Sequence, residues 1–220
     1  VTSSCFRGQY LVHLPRFHLA KGDIPMNQII DAILSRRSIR KYTDEPVSPD
    51  DLNQIIQCGL YAANGGNHQV VHLTALARRD LLDQLTALVR GEFLKMTPQE
   101  GLYQNIAIRN AHNRPDSYDF SFHAPVVIIA GAPLGWPNGM ADSASALQNM
   151  QVAASALGLG ACWVNQLHWL SENPVLRNFL QPYGIGQDEE ICGSIVLGHP
   201  AGPKPATAPR KDGRVTIISE

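Results

Sequence analysis

The sequence predicts an α+β fold, a sheet of short buried strands covered by helices. Three observations lead there. Segments with apolar residues at helical spacing and short β-branched runs are interleaved along the 220-residue chain, and each type is recognised by its period. Their order is not the regular strand–helix–strand alternation that builds a doubly wound parallel sheet. Two long stretches, Ala124 to Ala141 and Ser143 to Ser171, carry no Lys, Arg, Asp or Glu apart from Asp142 between them, which marks them as deeply buried parts of a core. At this length the chain has room for one sizeable domain or at most two small ones.

The elements follow in order. Met26, Ile29, Ile30, Ile33 and Leu34 recur at helical spacing and predict a first helix of about two to three turns. Pro46-Val47-Ser48-Pro49-Asp50-Asp51 is a helix start, with Ser48 as N-cap, Pro49 at the first helical position and acids in the first turn. Leu52, Ile55, Ile56, Gly59 and Leu60 mark one face of that second helix, which ends near Ala62-Ala63. Asn64-Gly65-Gly66-Asn67 is a loop. Gln69 to Leu76 has the alternation and β-branching of a strand, and Arg79 to Val89 reads as a helix carrying Leu82, Leu85 and Val89. Phe93 to Phe122 is polar and mixed, with helix and loop expected. Val126 to Ala130 is a buried strand bounded by Pro125 and by Gly131-Ala132-Pro133. Asp142 caps a long helix through Leu157, and Gly158 suits its C-terminus. Ala161 to Val164 is a short strand, Ser171 opens a short helix with Leu176, Phe179 and Leu180, and Ile191 to Leu197 is another strand. Val215 to Ile218 is a candidate final strand. The run Pro200 to Pro209 reads as an extended arm crossing a surface. Val1 to Pro25 shows no clear period and no signal-peptide pattern. The domain is therefore expected over residues 26–220, with residues 1–25 a leader, either appended or arising from a misassigned start.

Composition excludes several functions. Eighteen basic against nineteen acidic residues leave a net charge of −1, which argues against general nucleic-acid binding. Neither uncharged stretch is a membrane span, because prolines and glycines interrupt the first and amides, His168, Gly158 and Gly160 interrupt the second. Cys5, Cys58, Cys162 and Cys192 form no C-x-x-C pair. They read as buried free thiols of a reducing compartment, the cytoplasm, not as a disulfide frame or zinc site. His68 and His72 sit four apart on a predicted strand instead of on a helix, so no metal site is expected. There is no Gly-x-Ser-x-Gly elbow and no Walker loop, and Cys162 in an apolar strand is a poor nucleophile.

Three constellations remain. Arg36-Arg37-Ser38-Ile39-Arg40-Lys41-Tyr42 concentrates cations on a chain that is otherwise near neutral. It suits a phosphate, since Arg offers planar bidentate donors; it equally suits a solvated basic helix end at the negative pole of the helix dipole. Arg210-Lys211 is a second basic pair that either joins the first on one phosphate or forms an unrelated surface patch. Asn64-Gly65-Gly66-Asn67-His68-Gln69 is either a plain turn or a set of amides fitted to a planar heterocycle. Gly158-Leu159-Gly160 follows a helix and precedes a strand, the reverse of a dinucleotide fingerprint. The glycines read as a helix stop and a close backbone approach, with Asn165 and Gln166 just beyond the strand where a ligand would lie.

Taken in order, these pieces resemble the nitroreductase family of flavin-dependent oxidoreductases. Ile33 to Tyr42 followed by Pro46-Val47 is similar to the family's R-R-S-x-R-x-[FY] signature. Ala62 to Gln69 is similar to its A-P-S-x-x-N-x-Q-P-W loop, and Phe122 to Ile128 to its A-P-x-x-I strand. Asp142 to Trp163 resembles its long core helix and G-L-G-x-x-W turn, Gly193 to Pro200 its L-G-x-P element, and Arg210-Lys211 its terminal basic pair. The chain departs at Ala63-Asn64, at Val70-Val71 and at Asn165-Gln166, all on the ring and substrate side.

The resemblance implies a three-layer fold with a central, mostly antiparallel sheet, in an intertwined homodimer with FMN at the subunit interface. It implies that Arg36, Arg37, Ser38 and Arg40 hold the phosphate, ribityl chain and pyrimidine edge, and that Arg210, with Lys211, closes on the phosphate. Asn64, Gly65 and Asn67 would reach the flavin of the partner subunit, and the backbone at Val164, Asn165 and Gln166 would lie by the reactive edge. The implied activity is ping-pong transfer of hydride from NADH or NADPH through flavin N5 to a nitroaromatic, a quinone or another small organic oxidant, with no catalytic side chain. Dehalogenation, flavin fragmentation or dehydrogenation on the same fold, and a non-catalytic flavin-binding module, stand as alternatives.

Overall fold

The computed structural model describes residues 27–218. The chain divides into two units, Asn27–Pro205 and a second that includes Ala206–Glu220. Every helix and strand among the described residues lies in the first. Residues 206–218 of the second are exposed and carry no strand, so the candidate strand Val215 to Ile218 does not form. The proposed leader, and Cys5 within it, lie outside the described residues.

Four strands, β1 (His72–Leu76), β2 (Val126–Pro133), β3 (Gly160–Val164) and β4 (Glu189–Gly198), form a sheet in the order β1-β2-β4-β3. All three pairings are antiparallel. β2 and β4 outrun the expected limits because the ladder continues past the apolar runs: Gly131, Ala132 and Pro133 pair with Ile191, Glu190 and Glu189 across a bulge at Ala130/Gly131.

Alternate residues of a strand face opposite sides, and here both sides are apolar. Val126, Ile128, Ala130, Ala161, Ile195 and Leu197 face α2 (Pro49–Leu60) and α5 (Gly139–Ala156), packing on Ile55, Leu147, Met150 and Ala154. Val127, Ile129, Cys162, Val164 and Val196 face the other way. There they meet side chains from α3 (Arg79–Leu94), α4 (Asn105–Asn113), α6 (Gln166–Trp169) and α7 (Pro174–Leu180). The result is three layers, helix–sheet–helix. Side chains such as Ile55, Leu147 and Leu85 have no exposure at all, and each contributes about 1.5–3 kcal/mol through burial.

Local chemistry sets the helix ends. The Ser48 hydroxyl accepts the Asp51 N–H at 3.0 Å and Pro49 opens α2, as the sequence predicts. Asn173 caps α7 by accepting the N–H groups of Val175 and Leu176. α5 starts earlier than expected, at Gly139, and Asp142 sits inside its first turn instead of capping it. α5 stops after Ala156 with Leu157 as its C-cap, and Gly158 just beyond takes a φ of +77°, the left-handed stop that favours glycine. The first helix, α1 (Gln28–Ser35), buries only Ala32 and leaves Ile29, Ile30, Ile33 and Leu34 more than half exposed. Cys162 and Cys192 are buried free thiols, whereas Cys58 is exposed on α2, because its position falls off the apolar stripe that Ile55 and Gly59 define.

Candidate functional site

The basic segment runs out of α1 as an extended arm. The Arg36 N–H closes the helix on the Ala32 carbonyl at 3.0 Å. Ser38 then bridges β3 in parallel at Ala161, and the Ile39 N–H donates to the Ala161 carbonyl at 3.0 Å. Further on, Thr43 N–H bonds the His199 carbonyl and Ala201 N–H bonds the Lys41 carbonyl. The arm is thus stitched to β3 and to the strap that follows β4. Gly160 permits this approach, since a Cβ there would lie 2.8 Å from the Ile39 Cβ.

An extended segment sends alternate side chains to one side. Arg36, Ser38 and Arg40 are those near Cys162. Burial pushes that thiol's pKa up, while the Arg40 guanidinium, the Ser38 hydroxyl and the Arg36 guanidinium draw it back. Cys162 and Val164 face the same side of β3, about 7 Å apart along the strand. The structure therefore brings the arm and the end of β3 together. There the Val164 carbonyl accepts the Ser194 hydroxyl at 2.9 Å. Asn165 opens α6 and takes the Trp163 indole N–H on its Oδ1. Gln166 Nε2 donates to the Tyr118 hydroxyl at 2.9 Å. Burial raises the Tyr118 pKa and the Gln166 bond opposes it, so the phenol is neutral.

Arg36 and Arg37 line a cavity of about 270 Å³ with Gln151, Ser155, Gly158 and Lys204. Arg37 turns back on the helix end, its Nη1 donating to the Leu34 carbonyl at 2.8 Å and to the Arg36 carbonyl at 2.6 Å. Arg36 Nη1 and Arg37 Nε are buried and have no acceptor among the described residues. A buried donor without an acceptor costs about 1–3 kcal/mol, so the pocket asks for an anion. Lys204 is the cation that sequence reasoning missed. It reaches the cavity wall with its Nζ 3.3 Å from Ser35 Oγ, and a lone Lys in a Pro-rich run carries no motif to reveal it. Arg210 and Lys211 are exposed residues of the second unit.

The amide loop lies elsewhere. Asp142, 5% exposed, holds it: Oδ1 accepts the Gly65 N–H at 2.9 Å and Oδ2 accepts the Trp136 indole N–H at 3.3 Å. Asn64 Oδ1 accepts the Gln69 N–H at 3.0 Å, and Asn67 and Gln69 take left-handed φ values of 54° and 53°. His68 is exposed in this loop, and His72 at the start of β1 pairs with Glu189 at 3.0 Å. Asn64, Gln69, Asp142 and Ala146 line a second cavity of about 150 Å³. From Asp142 to Ser155, α5 rises about 20 Å. Arm and loop therefore sit at opposite ends of that helix and line two different cavities. Asp142→Ala is expected to destabilise the protein by about 1–3 kcal/mol. In hydrogen exchange, the Gly65 amide should lose protection before the sheet amides do.

Among the described residues no group of three or more His, Cys, Asp or Glu is placed to hold a metal, and no helix is long and apolar enough to cross a membrane. Residues 33–199 match the sequence model of the nitroreductase family. A crystal structure of a nitroreductase with bound FMN from Bacteroides fragilis superposes with a TM-score of 0.80 at 30% identity, over 88% of this chain and 100% of that one. An NADPH-flavin oxidoreductase of Vibrio harveyi is 27% identical over 87% of this chain and 73% of its own length. An FMN reductase [NAD(P)H] of Bacillus subtilis is 27% identical over 80% and 67%.

Proposed function

The chain belongs to the nitroreductase family, and from that premise we propose that it is an FMN-dependent oxidoreductase passing electrons from NADH or NADPH to a small organic oxidant such as a nitroaromatic or a quinone. The observation that carries the reading is the cavity where Arg36, Arg37 and Lys204 meet and where two buried guanidinium nitrogens lack an acceptor. A phosphate fits that donor set, because guanidinium and ammonium groups bind phosphate through charge-assisted hydrogen bonds. FMN, when bound, supplies the hydride chemistry, in two alternating half-reactions.

The chain's own residues bind and orient. Arg36, with Lys204, would hold the phosphate, and Arg37 would add its free Nε while its Nη1 stays on the end of α1. Ser38 and Arg40, which lie near Cys162 with Arg36, would take the ribityl chain and the pyrimidine edge. The backbone of Val164, Asn165 and Gln166 would border the reactive edge, with Gln166 steadied by Tyr118. Cations and N–H donors placed before the reaction stabilise negative charge without reorganising, so no side-chain nucleophile is required.

A homodimer completes the site. Ile29, Ile30, Ile33 and Leu34 on α1, with Leu60 and Tyr61 at the end of α2, are all at least half exposed. Large apolar patches mark interaction surfaces. Placement of the loop and the arm at opposite ends of α5 supports the reading in which Asn64, Gly65 and Asn67 serve the flavin of the partner subunit. The free thiols of Cys162 and Cys192 support a reducing compartment such as the cytoplasm.

Absorption spectroscopy and steady-state assays test the proposal. The purified protein, or protein given FMN, should show a flavin spectrum and oxidise NADH or NADPH with menadione or a nitroaromatic. A product that stays colourless with added FMN overturns the cofactor assignment. A reducible bound flavin without turnover shifts the activity to dehalogenation, flavin fragmentation or dehydrogenation.

A further inference from the structure

Phe122 and His123 both occupy the left-handed region, with φ of 55° and 59°. That conformation crowds any residue with a Cβ, and two in succession persist only where the surroundings over-determine them. Here Asp119 does so. Its Oδ1 accepts the Ser121 N–H at 2.7 Å, the Ser121 hydroxyl at 2.6 Å and the Thr86 hydroxyl at 3.3 Å. Its Oδ2 accepts the His123 N–H at 2.7 Å. The carboxylate thus fixes a strained corner just before Ala124-Pro125 and β2.

The corner delivers one group to the site. The Phe122 ring lies under the Arg40 guanidinium, 5.9 Å from carbon to ring centroid, within the range of a cation–π contact. Arg40 is exposed and joins no ion pair among the described residues.

We propose that the Asp119 turn and the Phe122 ring form a positioning device for Arg40, fixing its charge beside the flavin's pyrimidine edge and so raising the reduction potential of the bound FMN. The inference rests on the flavin reading above. Phe122 is a positioning residue, since it acts through Arg40, and plain packing against the core is the competing role.

Phe122→Leu keeps an apolar side chain and removes the ring, and Phe122→Tyr keeps the ring. The expected result for Phe122→Leu is a roughly fivefold fall in the preference for electron-rich over oxidised FMN. That corresponds to a potential lower by about 20 mV, at 29.6 mV per factor of ten for a two-electron couple. Phe122→Tyr should leave the potential at the parent value. Bound FMN with an unchanged potential in Phe122→Leu overturns the proposal and leaves packing as the residue's role.

A second measurement needs no flavin. A double-mutant cycle of Arg40→Gln with Phe122→Leu, read by urea unfolding of the flavin-free protein, should show a coupling of about two- to fivefold in the unfolding constant. Strict additivity overturns the ring–guanidinium contact. Parent protein that binds no FMN while the coupling is present sinks the flavin reading and, with it, the effect on potential, but leaves the contact standing.

Discussion

Arg36→Ala should weaken FMN binding by about 1.5–3 kcal/mol, the scale of a hydrogen bond to a charged group, or roughly ten- to 150-fold in Kd. The protein's own stability should hardly fall. Arg36 closes α1 through its backbone N–H, which Ala retains, and its Nη1 is buried without an acceptor among the described residues. Removing that donor relieves a desolvation cost in the flavin-free chain while deleting a contact in the loaded one. The two effects separate cleanly by FMN titration and urea unfolding. Unchanged affinity for FMN would take Arg36 out of the phosphate site; a large loss of stability would show that its guanidinium has a structural partner.

Gly160→Ala is expected to cost about 1–3 kcal/mol of stability, the usual range for overpacking a tight site, and to lower FMN affinity beyond what the stability loss explains. Alanine suits the backbone well enough, so the loss comes from contact. The new Cβ would stand 2.8 Å from both Cβ and Cγ2 of Ile39, which is itself 7% exposed. The arm must move off β3, and Arg36, Ser38 and Arg40 move with it. Ile39→Ala in the same chain removes the Cγ contacts, so the two losses should be less than additive, as expected for touching residues. Wild-type stability in Gly160→Ala would mean that the arm is not held by this approach.

Much of this layout was legible in the residues. Ser48-Pro49 and the glycines at 158 and 160 each did what their chemistry predicts: a cap, a stop and a close approach. The three layers follow from apolar strands with no polar side, which require helices on both faces. Other features carry weaker signals. α6 spans Gln166–Trp169, too short for a helical period to register. The Gly131–Pro133 extension of β2 depends on ladder bonds to Ile191, Glu190 and Glu189, and local sequence does not encode its partners. Asp142 has the look of an N-cap, an acid before an apolar run, yet its carboxylate is taken up by Gly65 and Trp136. The Gly65 contact lies 77 residues away in the chain, and a single sequence hides it. Lys204 escaped for the opposite reason, because an isolated cation among prolines has no pattern, whereas the Arg36–Lys41 cluster drew attention by its density.

The central claim is that each flavin site joins the arm of one chain to the loop of another, and mixed dimers test it most directly. One parent would carry Arg36→Ala; the other would carry Asn64→Ala with Asn67→Gly, which respects the left-handed φ of 54° at Asn67. Heterodimers isolated with two different tags are then titrated with FMN. If arm and loop meet across the dimer, one site receives both defects and the other receives none, so half the sites should bind FMN with the Kd of the unaltered protein. If every heterodimer site binds weakly, as it would when each loop serves its own chain's flavin, the account is contradicted.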